Sequence, residues 1–427
     1  MNVILENIGI IKKADIQLNG MTVITGYNDS GKSTLGKALY SYYYGKNSYL
    51  KNLHKDAVKY SLSPLRKIMI SDAQNLYELL IDTDKSFFYY NIFGENEEII
   101  KRIRDKYHQF SSSEDDFVRQ LKLVRKNLDW IKAPDFKKKV KCNLIQKIFQ
   151  TEFDDKINNV YAKEAKSGKL CFQGEKHKKD IVITNENIEE SSDDMPIELD
   201  FSDVIYIDTP VTLSDASELV PIWMIGMLNE NHVRTLMERL ISSSGEKKNI
   251  VDDSNRKESL KDIDAYIKNV LHGEIKFNNG KLEYQGDDNK KFGVGAIANG
   301  LKSFAIIKRL LDNGYMQEDS LFIIDEPEVH LHPEWQLFFA ELLVILQMKL
   351  KLKMLITSHS PYFLQAIEVF SKKYKISDTV HYYLAERQED GAIVRNVDND
   401  LDATYKLLAQ PIIKLREMYE ALNDDNR

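Results

Sequence analysis

The stretch that most constrains the fold of this chain is Gly26-Tyr27-Asn28-Asp29-Ser30-Gly31-Lys32-Ser33-Thr34. It follows a run of apolar β-formers, Met21 to Thr25, and precedes a helical pattern that begins at Leu35, which predicts a strand, a loop and a helix. A glycine loop can turn successive backbone N–H groups toward phosphate oxygens, and the N-terminus of the next helix adds a positive electrostatic end. The pattern therefore predicts a phosphate-binding loop, in which Lys32 reaches the β- and γ-phosphates and Ser33 binds Mg²⁺. The alternative is a chance glycine–lysine turn in front of a helix.

Composition bounds the class of protein. The chain has 427 residues, of which 43% are apolar and 29% charged, and this balance suits a globular protein with a sizeable core. Its net charge of -7 excludes a basic surface over the whole protein, although a local basic face for nucleic acid stays open. Cys142 and Cys171 offer neither a disulfide framework nor metal-ligand spacing, so we expect a cytoplasmic protein. We find no signal peptide and no apolar run of about 20 residues, so we expect no membrane contact except through a partner.

The pattern of elements divides the chain into three parts. Residues 1–45 carry strands and the phosphate loop, and residues 2–25 predict a strand hairpin with Asn19-Gly20 as a turn signal. Residues 46–200 are rich in charged and amide side chains and predict a mainly helical insertion. Residues 201–427 predict strands that alternate with helices. This alternation indicates an α/β fold in which helices cover the faces of a sheet.

Two adjacent carboxylates follow the apolar strand Leu321 to Ile324, whose composition is typical of a parallel strand buried on both faces. Ligands of open α/β sheets bind at the C-terminal ends of such strands. Phosphate transfer to water needs one carboxylate on Mg²⁺, which we assign to Asp325, and a second acceptor that activates the water, which we assign to Glu326. An ordinary cap in front of a helix would use the same residue types. The phosphate loop elsewhere in the chain favours the functional interpretation.

Two further groups are candidates for contacts with phosphate. His359 follows the next buried strand, where its ring can donate a hydrogen bond to the γ-phosphate, and the alternative is an exposed turn histidine. Asn299, Gly300 and Lys302 stand at the predicted start of a helix, where bare backbone can hold a phosphate. Taken alone, this second signal favours a simple capped helix start.

The order of these parts resembles the ABC-type ATPases of the SMC, RecF and OLD group. The strings LFIIDEPEVHLHPEWQ and ITSHSPYFL are especially similar to RecF-like and OLD-like ATPases of bacterial antiphage systems. The resemblance covers residues 1–45 and 200–400. It implies an ABC-type P-loop ATPase head with a mixed sheet, together with a largely helical insertion that makes partner or dimer contacts.

The resemblance also implies roles for individual residues. The Walker A residues that bind ATP would be Gly26, Asn28, Asp29, Ser30, Gly31, Lys32, Ser33 and Thr34. Asp325 would join Ser33 in holding Mg²⁺, Glu326 would be the catalytic base, His359 would be the switch histidine, and Lys32 would assist catalysis. The degenerate signature motif, which in this group contacts the γ-phosphate bound to the opposite subunit, would consist of Asn299, Gly300 and Lys302.

Two motifs of the group are incomplete here. The usual serine at the head of the signature is missing, because Ala298-Asn299 precede Gly300. The glutamine of the Q-loop has only two candidates, the strand end at Asp208-Thr209-Pro210 and Gln74. His330 and His332 could suggest zinc, but no further ligand cluster is near them in sequence, and the resemblance implies that Leu-His-Pro leads into a helix.

The leading hypothesis is an ATPase that dimerises head to tail, closes on ATP and opens after hydrolysis. Asp398 to Arg427 leave no room for the nuclease domain of OLD-like proteins, so we expect a separately encoded effector nuclease or toxin, as in the similar ATPase subunits of PARIS and Septu antiphage systems. One alternative is a RecF-like DNA-repair ATPase that binds duplex DNA in a salt-sensitive way. Another is the nucleotide-binding subunit of a transporter, against which the weak signature motif argues.

Overall fold

The computed structural model describes residues 1–61, 134–162, 167–174, 178–190, 201–208, 230–242, 254–278, 281–318 and 320–424. The chain divides into two compact units, one made of Met1–Tyr44 with Gln146–Arg427 and the other of Gly45–Ile145. All described strands and all candidate site residues except Gln74 belong to the first unit.

The described strands are β1 (Asn2–Ile8), β2 (Ile11–Gln17), β3 (Met21–Thr25), β4 (Ser167–Gln173), β5 (Lys178–Thr184), β6 (Asn187–Glu190), β7 (Asp203–Ile207), β8 (Gly273–Asn278), β9 (Lys281–Gly286), β10 (Lys291–Gly293), β11 (Ser320–Asp325), β12 (Lys353–Ser358), β13 (Val380–Gln388) and β14 (Gly391–Asn396). The described α-helices are α1 (Lys32–Ser61), α2 (Pro134–Phe153), α3 (His232–Ile241), α4 (Ser254–Lys268), α5 (Asn299–Asp312), α6 (Pro333–Leu350), α7 (Pro361–Lys373) and α8 (Leu401–Asp424). Of these helices, none combines the length and apolar character that a membrane span requires.

Eleven strands form one mixed sheet in the order β6-β5-β4-β1-β2-β14-β13-β3-β12-β11-β7. The five strands from β13 to β7 in this order run parallel to one another, whereas β13 and β14 are antiparallel. All five residues of β3 are buried, as expected for a central strand covered on both faces. The predicted α/β class with a mixed sheet is confirmed.

The parallel strands bring the predicted motifs to one edge of the sheet. β3 ends at the phosphate loop, β11 ends at Asp325 and β12 ends one residue before His359. Asp325 is the register partner of Thr357, and Ser358 is the register partner of Thr25. The C-terminal ends of adjacent parallel strands therefore place residues more than 300 positions apart in sequence beside each other.

The N-terminal hairpin is shorter than predicted. β1 pairs with β2, and the turn falls at Gly9 and Ile10. Asn19-Gly20 is not a hairpin turn, because β3 pairs with β12 and β13 whereas β2 pairs with β14. A turn dipeptide specifies a local change of direction, and it does not specify which strand the chain then joins. The second predicted hairpin, β8 with β9, is confirmed, and β10 extends it to three strands.

The structure divides the chain differently from the predicted insertion 46–200. β4 pairs with β1, and β5 and β6 extend the same sheet, so this part of the predicted insertion belongs to the sheet-bearing unit. β5 alternates between buried and less buried residues, which is the pattern of a strand with one covered face. The sequence predicts short strands at Leu170 to Phe172 and Asp180 to Thr184, and the structure adds that they belong to the main sheet. The described ends of the 45–145 unit are helical, and residues 62–133 lie outside the described residues.

Candidate functional site

The phosphate loop has a backbone that only glycine fits at two positions. Gly26 has φ +149°, and a Cβ placed on it would lie 2.3 Å from the carbonyl oxygen of Ala385. Gly31 has φ +88°, and a Cβ there would lie 3.0 Å from Cγ1 of Ile11. A larger residue would be strained by the backbone conformation at both positions, and at Gly26 it would also clash with the backbone, so the loop favours both glycines.

Lys32 begins α1 and folds back over the loop. Its Nζ donates to the carbonyl oxygens of Gly26 at 3.0 Å and Tyr27 at 2.9 Å, and only 4% of the residue is exposed. The same Nζ lies 3.5 Å from Oε1 of Glu326. The ammonium group is thus held between the loop and a carboxylate at the end of β11, where it can neutralise phosphate charge.

The other loop residues face different surroundings. Asn28 and Asp29 are exposed, and Asp29 has a positive φ of 60°. Ser33 and Thr34 are half-buried in the first turn of α1, where the N–H of Thr34 donates to the carbonyl of Gly31 at 3.1 Å and the N–H of Ser33 can point at an anion. The Oγ of Ser30 is buried and has no hydrogen-bond partner among the described residues. A buried polar atom without a partner favours a site that a polar ligand completes.

Asp325 is oriented by two hydroxyl groups. The Tyr206 hydroxyl donates to its Oδ2 at 3.2 Å, and the Thr357 hydroxyl donates to its Oδ1. Burial raises the pKa of Tyr206 well above its ordinary value, so this hydroxyl keeps its proton and remains a donor. A Cβ on Gly36 of α1 would lie 2.9 Å from Cγ2 of Ile323 and 3.3 Å from the Tyr206 hydroxyl oxygen, so the helix approaches the strands closely here.

This donor set fits Mg²⁺. The ion prefers oxygen ligands and commonly binds through one or two carboxylates together with substrate phosphates, and the carboxylate of Asp325 and the hydroxyl of Ser33 are of that kind. Among the described residues, no group of three or more histidine, cysteine, aspartate and glutamate side chains could hold a metal ion by itself. The chemistry of these residues therefore suits an ion shared with a nucleotide.

Glu326 lies at the meeting point of the candidate groups. Its backbone has φ +46°, and its N–H lies 3.1 Å from both the carbonyl and the hydroxyl oxygen of Thr357. Its Oε1 lies 3.5 Å from Nδ1 of His359 and 3.5 Å from Nζ of Lys32. His359 and, against the effect of burial, Lys32 lower the pKa of Glu326. The carboxylate is therefore ionised at neutral pH, as a proton acceptor must be.

His359 is positioned by an acid that sequence reasoning missed. Glu328 is 3% exposed, and its Oε1 accepts hydrogen bonds from the Ser358 hydroxyl at 2.7 Å, the His359 N–H at 2.9 Å and the Ser360 N–H at 3.2 Å. Glu326 chiefly raises the pKa of His359 by its contact with the ring. The motif around the acid pair contains Glu328, but only the fold shows that its carboxylate caps the end of the neighbouring strand.

A second missed group lies behind Asp325. His232 places Nδ1 2.7 Å from Oε2 of Glu152 and Nε2 3.1 Å from Oδ2 of Asp208, and its ring stacks on Tyr206 with centroids 4.5 Å apart. Burial lowers the pKa of His232, but the hydrogen bonds to Asp208 and Glu152 outweigh burial and raise it to about 9. Asp208 was a Q-loop candidate, and its carboxylate contacts this charged histidine. Thr209, Pro210 and Gln74 lie outside the described residues.

The signature-like residues begin α5. Asn299 is exposed, and Ala298, in the N-cap position, makes no side-chain capping hydrogen bond. Lys302 is 3% exposed, and its Nζ donates to Oδ1 of Asn299 at 2.8 Å. Gly300 packs where a Cβ would lie 3.0 Å from the Trp335 ring. These contacts place the group beside the start of α6, whereas Lys32, Glu326 and His359 contact one another.

His332 has a structural role at the start of α6. It occupies the N-cap position, and its Nδ1 accepts a hydrogen bond from the N–H of Glu334 at 3.4 Å. His330 has a positive φ of 69° in the turn that precedes it. The predicted lead into a helix is confirmed, because α6 begins at Pro333.

Comparison with known proteins gives a family match and structural matches. The family model described as "AAA ATPase domain" matches residues 1–364. The SMC head domain from Thermotoga maritima is similar at 9% identity and a TM-score of 0.38, covering 93% of this chain and 98% of that one. An Smc head domain with an extended coiled coil, bound to the C-terminal domain of ScpA and derived from Pyrococcus furiosus, is similar at 10% identity and a TM-score of 0.42, covering 96% and 98%. MJ1267, an ATP-binding cassette of an ABC transporter, has 13% identity and a TM-score of 0.31, covering 98% of both chains. No curated protein matches the chain.

Proposed function

This chain belongs to the AAA ATPase domain family, and from that premise we propose that it is an ATP-driven switch of the SMC, RecF and OLD type. Membership makes the chain an ATPase. The proposal is that Mg²⁺-dependent hydrolysis at the β3, β11 and β12 strand ends controls a head-to-tail dimer, and that the dimer regulates a separately encoded effector of an antiphage defence system.

The observation that carries the catalytic part is the convergence on Oε1 of Glu326. Lys32 from the phosphate loop and His359 from the end of β12 each lie 3.5 Å from this atom. A cation for the phosphates, an ionised acceptor for the proton of water and a histidine donor therefore occupy one small volume. This is the set of groups that phosphoryl transfer to water requires.

Each residue then has a definite task. Lys32 and the N–H groups at the start of α1 bind the phosphates and hold them in line. Ser33 and Asp325 would hold Mg²⁺, which neutralises charge on the phosphate oxygens when it is bound. Glu326 accepts a proton from the attacking water, and its lowered pKa keeps it available for that purpose. His359, whose pKa is raised by Glu326, donates a hydrogen bond to the γ-phosphate.

The exposed start of α5 supports the dimer. An α-helix leaves its first N–H groups without partners inside the helix, and Ala298 offers no side-chain cap to those of α5. In a head-to-tail dimer, Asn299 and Gly300 would meet the γ-phosphate held by the partner subunit. Lys302 would not contact the phosphate and would instead orient the Asn299 side chain through its 2.8 Å hydrogen bond.

The effector part of the proposal is supported by the similarity of the motif strings to antiphage ATPases. A switch of this kind works if ATP favours one arrangement of the dimer and ADP another. The partner that reads this change would then be held in one state and released in the other.

The deciding experiment uses Glu326→Gln in the full-length chain, expressed together with its neighbouring genes. The substitution removes the proton acceptor but preserves the shape of the side chain, so ATP and Mg²⁺ should trap a dimer that light scattering detects. Glu318→Gln, an exposed acid outside the site, is the matched control.

The molecule that copurifies with the variant identifies the partner of the ATPase. A stoichiometric protein encoded beside the ATPase supports the effector hypothesis. Duplex DNA alone, lost as salt rises, supports the RecF-like alternative instead. If Glu326→Gln hydrolyses ATP at the rate of the parent, the assignment of the proton acceptor is wrong. If the variant stays monomeric with ATP bound, the dimer is wrong.

A further inference from the structure

A junction of three chain segments lies beside the phosphate loop. In the 157–161 segment, the carbonyl of Ile157 accepts from the N–H of Gly9 at 2.7 Å, and the N–H of Val160 donates to the carbonyl of Gly9 at 3.2 Å. The Asn159 amide donates to the carbonyl of Asp390 at 2.9 Å, in the turn between β13 and β14. The segment is thus fixed against both the β1–β2 turn and the β13–β14 turn.

The junction touches the phosphate loop at the end where a nucleoside emerges. A Cβ on Gly9 would lie 2.7 Å from Cγ2 of Thr34, in the first turn of α1. In loops of this type, the backbone N–H groups of the loop and helix start hold the α- and β-phosphates. The ribose and base are attached to the α-phosphate, so in a bound nucleotide they would leave the loop next to Gly9 and the 157–161 segment.

An exposed aromatic surface lies at this exit. Val160 is 53% exposed and Tyr161 is 39% exposed. The guanidinium carbon of Arg387 lies 4.0 Å from the centroid of the Tyr161 ring. Nη1 of Arg387 also donates to Oδ2 of Asp29 at 3.0 Å and to its carbonyl at 3.1 Å. The Tyr161 ring is therefore attached to the phosphate loop through Arg387, and it stays accessible although Arg387 covers one face.

We propose that Val160, Tyr161 and Arg387 form a nucleobase platform, on which the purine base of the bound nucleoside triphosphate stacks. The proposal rests on the proposed function, because it takes the phosphate loop to hold a nucleotide. Stacking on an aromatic ring and a guanidinium plane suits any base, since every base has a π-face. Purines have the larger face and therefore bind more tightly than pyrimidines.

The platform contacts the base by stacking on its face and makes no hydrogen bonds to its edge. Within the part of the chain that the structure describes, the neighbouring polar side chains of Asp29 and Asn159 have partners: Asp29 accepts from Arg387, and Asn159 donates to the carbonyl of Asp390 while its Oδ1 accepts from the N–H of Tyr161 at 2.9 Å. Strong discrimination between bases requires polar groups that pair with the edge of the correct base. The chain should therefore bind ATP and GTP with similar affinity.

Calorimetric titration of the full-length protein with Mg²⁺ and four probes tests the platform. The probes are ATP, GTP, CTP and inorganic tripolyphosphate. Tyr161→Ala should weaken ATP and GTP binding by roughly tenfold and leave tripolyphosphate binding unchanged, because only the stacking contact is lost. Tyr161→Phe keeps the aromatic ring, so its affinity for ATP and GTP should equal that of the parent. Tyr419→Ala, which removes an exposed tyrosine of α8, is the matched control.

Several results would overturn the platform. One is unchanged ATP affinity in Tyr161→Ala, and another is an equal loss of tripolyphosphate affinity, which would indicate a distorted phosphate loop. A preference for ATP over GTP of more than about 100-fold in the parent would show that the edge of the base is read. If Tyr161→Ala does not fold, the affinities of the parent protein for the four probes decide whether the platform exists. If the parent binds neither ATP nor tripolyphosphate, the proposed function itself fails.

Discussion

Two histidine–carboxylate clusters lie in the site, around His359 and around His232, and they differ in exposure and in contact distance. His359 is 40% exposed in its side chain, and its Nδ1 is 3.5 Å from Oε1 of Glu326 and of Glu328. His232 is 10% exposed in its side chain, and its contacts with Glu152 and Asp208 measure 2.7 and 3.1 Å. The contacts of His359 are longer and its ring is more exposed, whereas the contacts of His232 are short and both its ring and Glu152 are buried.

The difference indicates that one cluster serves catalysis and the other serves stability. The long contact between the partly exposed side chains of His359 and Glu326 is worth little in stability, so these two side chains can rearrange when a phosphate arrives. Short buried contacts are costly to break, because a charge left without its partner in the interior is strongly unfavourable. We therefore expect substitutions in the His359 cluster to change turnover and substitutions in the His232 cluster to change the free energy of unfolding.

The largest expected effect is on turnover. Glu326→Gln should lower the rate of phosphate release by roughly 10²- to 10⁴-fold, since general base catalysis contributes a factor of that size. The free energy of unfolding should change by less than about 0.5 kcal/mol, because the side chain is partly exposed. Steady-state phosphate release and urea denaturation measure the two quantities. If Glu326→Gln lost stability but kept its turnover, the His359 cluster would have the structural role that we assign to the His232 cluster.

The second effect is on stability. His232→Ala should lower the free energy of unfolding by about 3–5 kcal/mol, because it removes the charged ring from the buried carboxylate of Glu152, to which the backbone N–H of residue 232 continues to donate. The matched control is His359→Ala, which should cost less than about 1 kcal/mol. Chemical denaturation of both variants measures the difference. Equal losses would show that the two clusters do not differ as their geometry indicates.

The third effect is a dependence of stability on pH. The pKa of His232 is raised from its ordinary value of 6.5 to about 9, so the folded state binds the proton more tightly than the unfolded state. The resulting stabilisation, up to about 3 kcal/mol, is fully present below pH 6.5 and is lost as the pH rises through about 9. Denaturation of the parent and His232→Gln across this range checks it. The variant should lack this slope, and an identical slope in both proteins would assign the proton to another group.

The smallest effect concerns the acid that positions His359. Glu328→Ala removes the acceptor shared by the Ser358 hydroxyl and the N–H groups of His359 and Ser360. It should cost about 1–2 kcal/mol and lower turnover roughly tenfold, because the loop that carries His359 loses its anchor. Burial raises the pKa of Glu328, so Glu328→Gln, which keeps an acceptor oxygen, should retain most of both properties. If Glu328→Gln loses as much stability and turnover as Glu328→Ala, the negative charge of Glu328 is required and an acceptor oxygen alone is not sufficient.

The sequence allowed prediction of features that depend on local patterns. The phosphate loop is marked by a strand, two glycines and a lysine in nine residues, and Asp325 and His359 are each marked by an apolar strand just before them. Because the ends of parallel strands share one edge, these local signals were enough to predict that the groups meet.

Features that depend on distant pairing could not be predicted in this way. Asn19-Gly20 marks a turn, but the identity of the strands beside β3 depends on residues more than 300 positions later. The contact of Glu152 with His232 joins positions 80 residues apart, and neither residue lies in a motif. Short strands at Leu170 to Phe172 and Asp180 to Thr184 can be read from the sequence, but their place in the main sheet depends on pairing with β1, more than 160 positions earlier.

The close approach at Gly36 has a mechanical consequence. In the proposed function, the loop at the start of α1 would hold the phosphates and Asp325 at the end of β11 would hold their Mg²⁺, so hydrolysis would depend on the distance between the loop and Asp325. That distance is set by the absence of a side chain, since α1 rests on Ile323 and on the Tyr206 hydroxyl with no room for a Cβ. We therefore expect α1 and β11 to move together, so that a displacement of the phosphate loop also displaces Asp325.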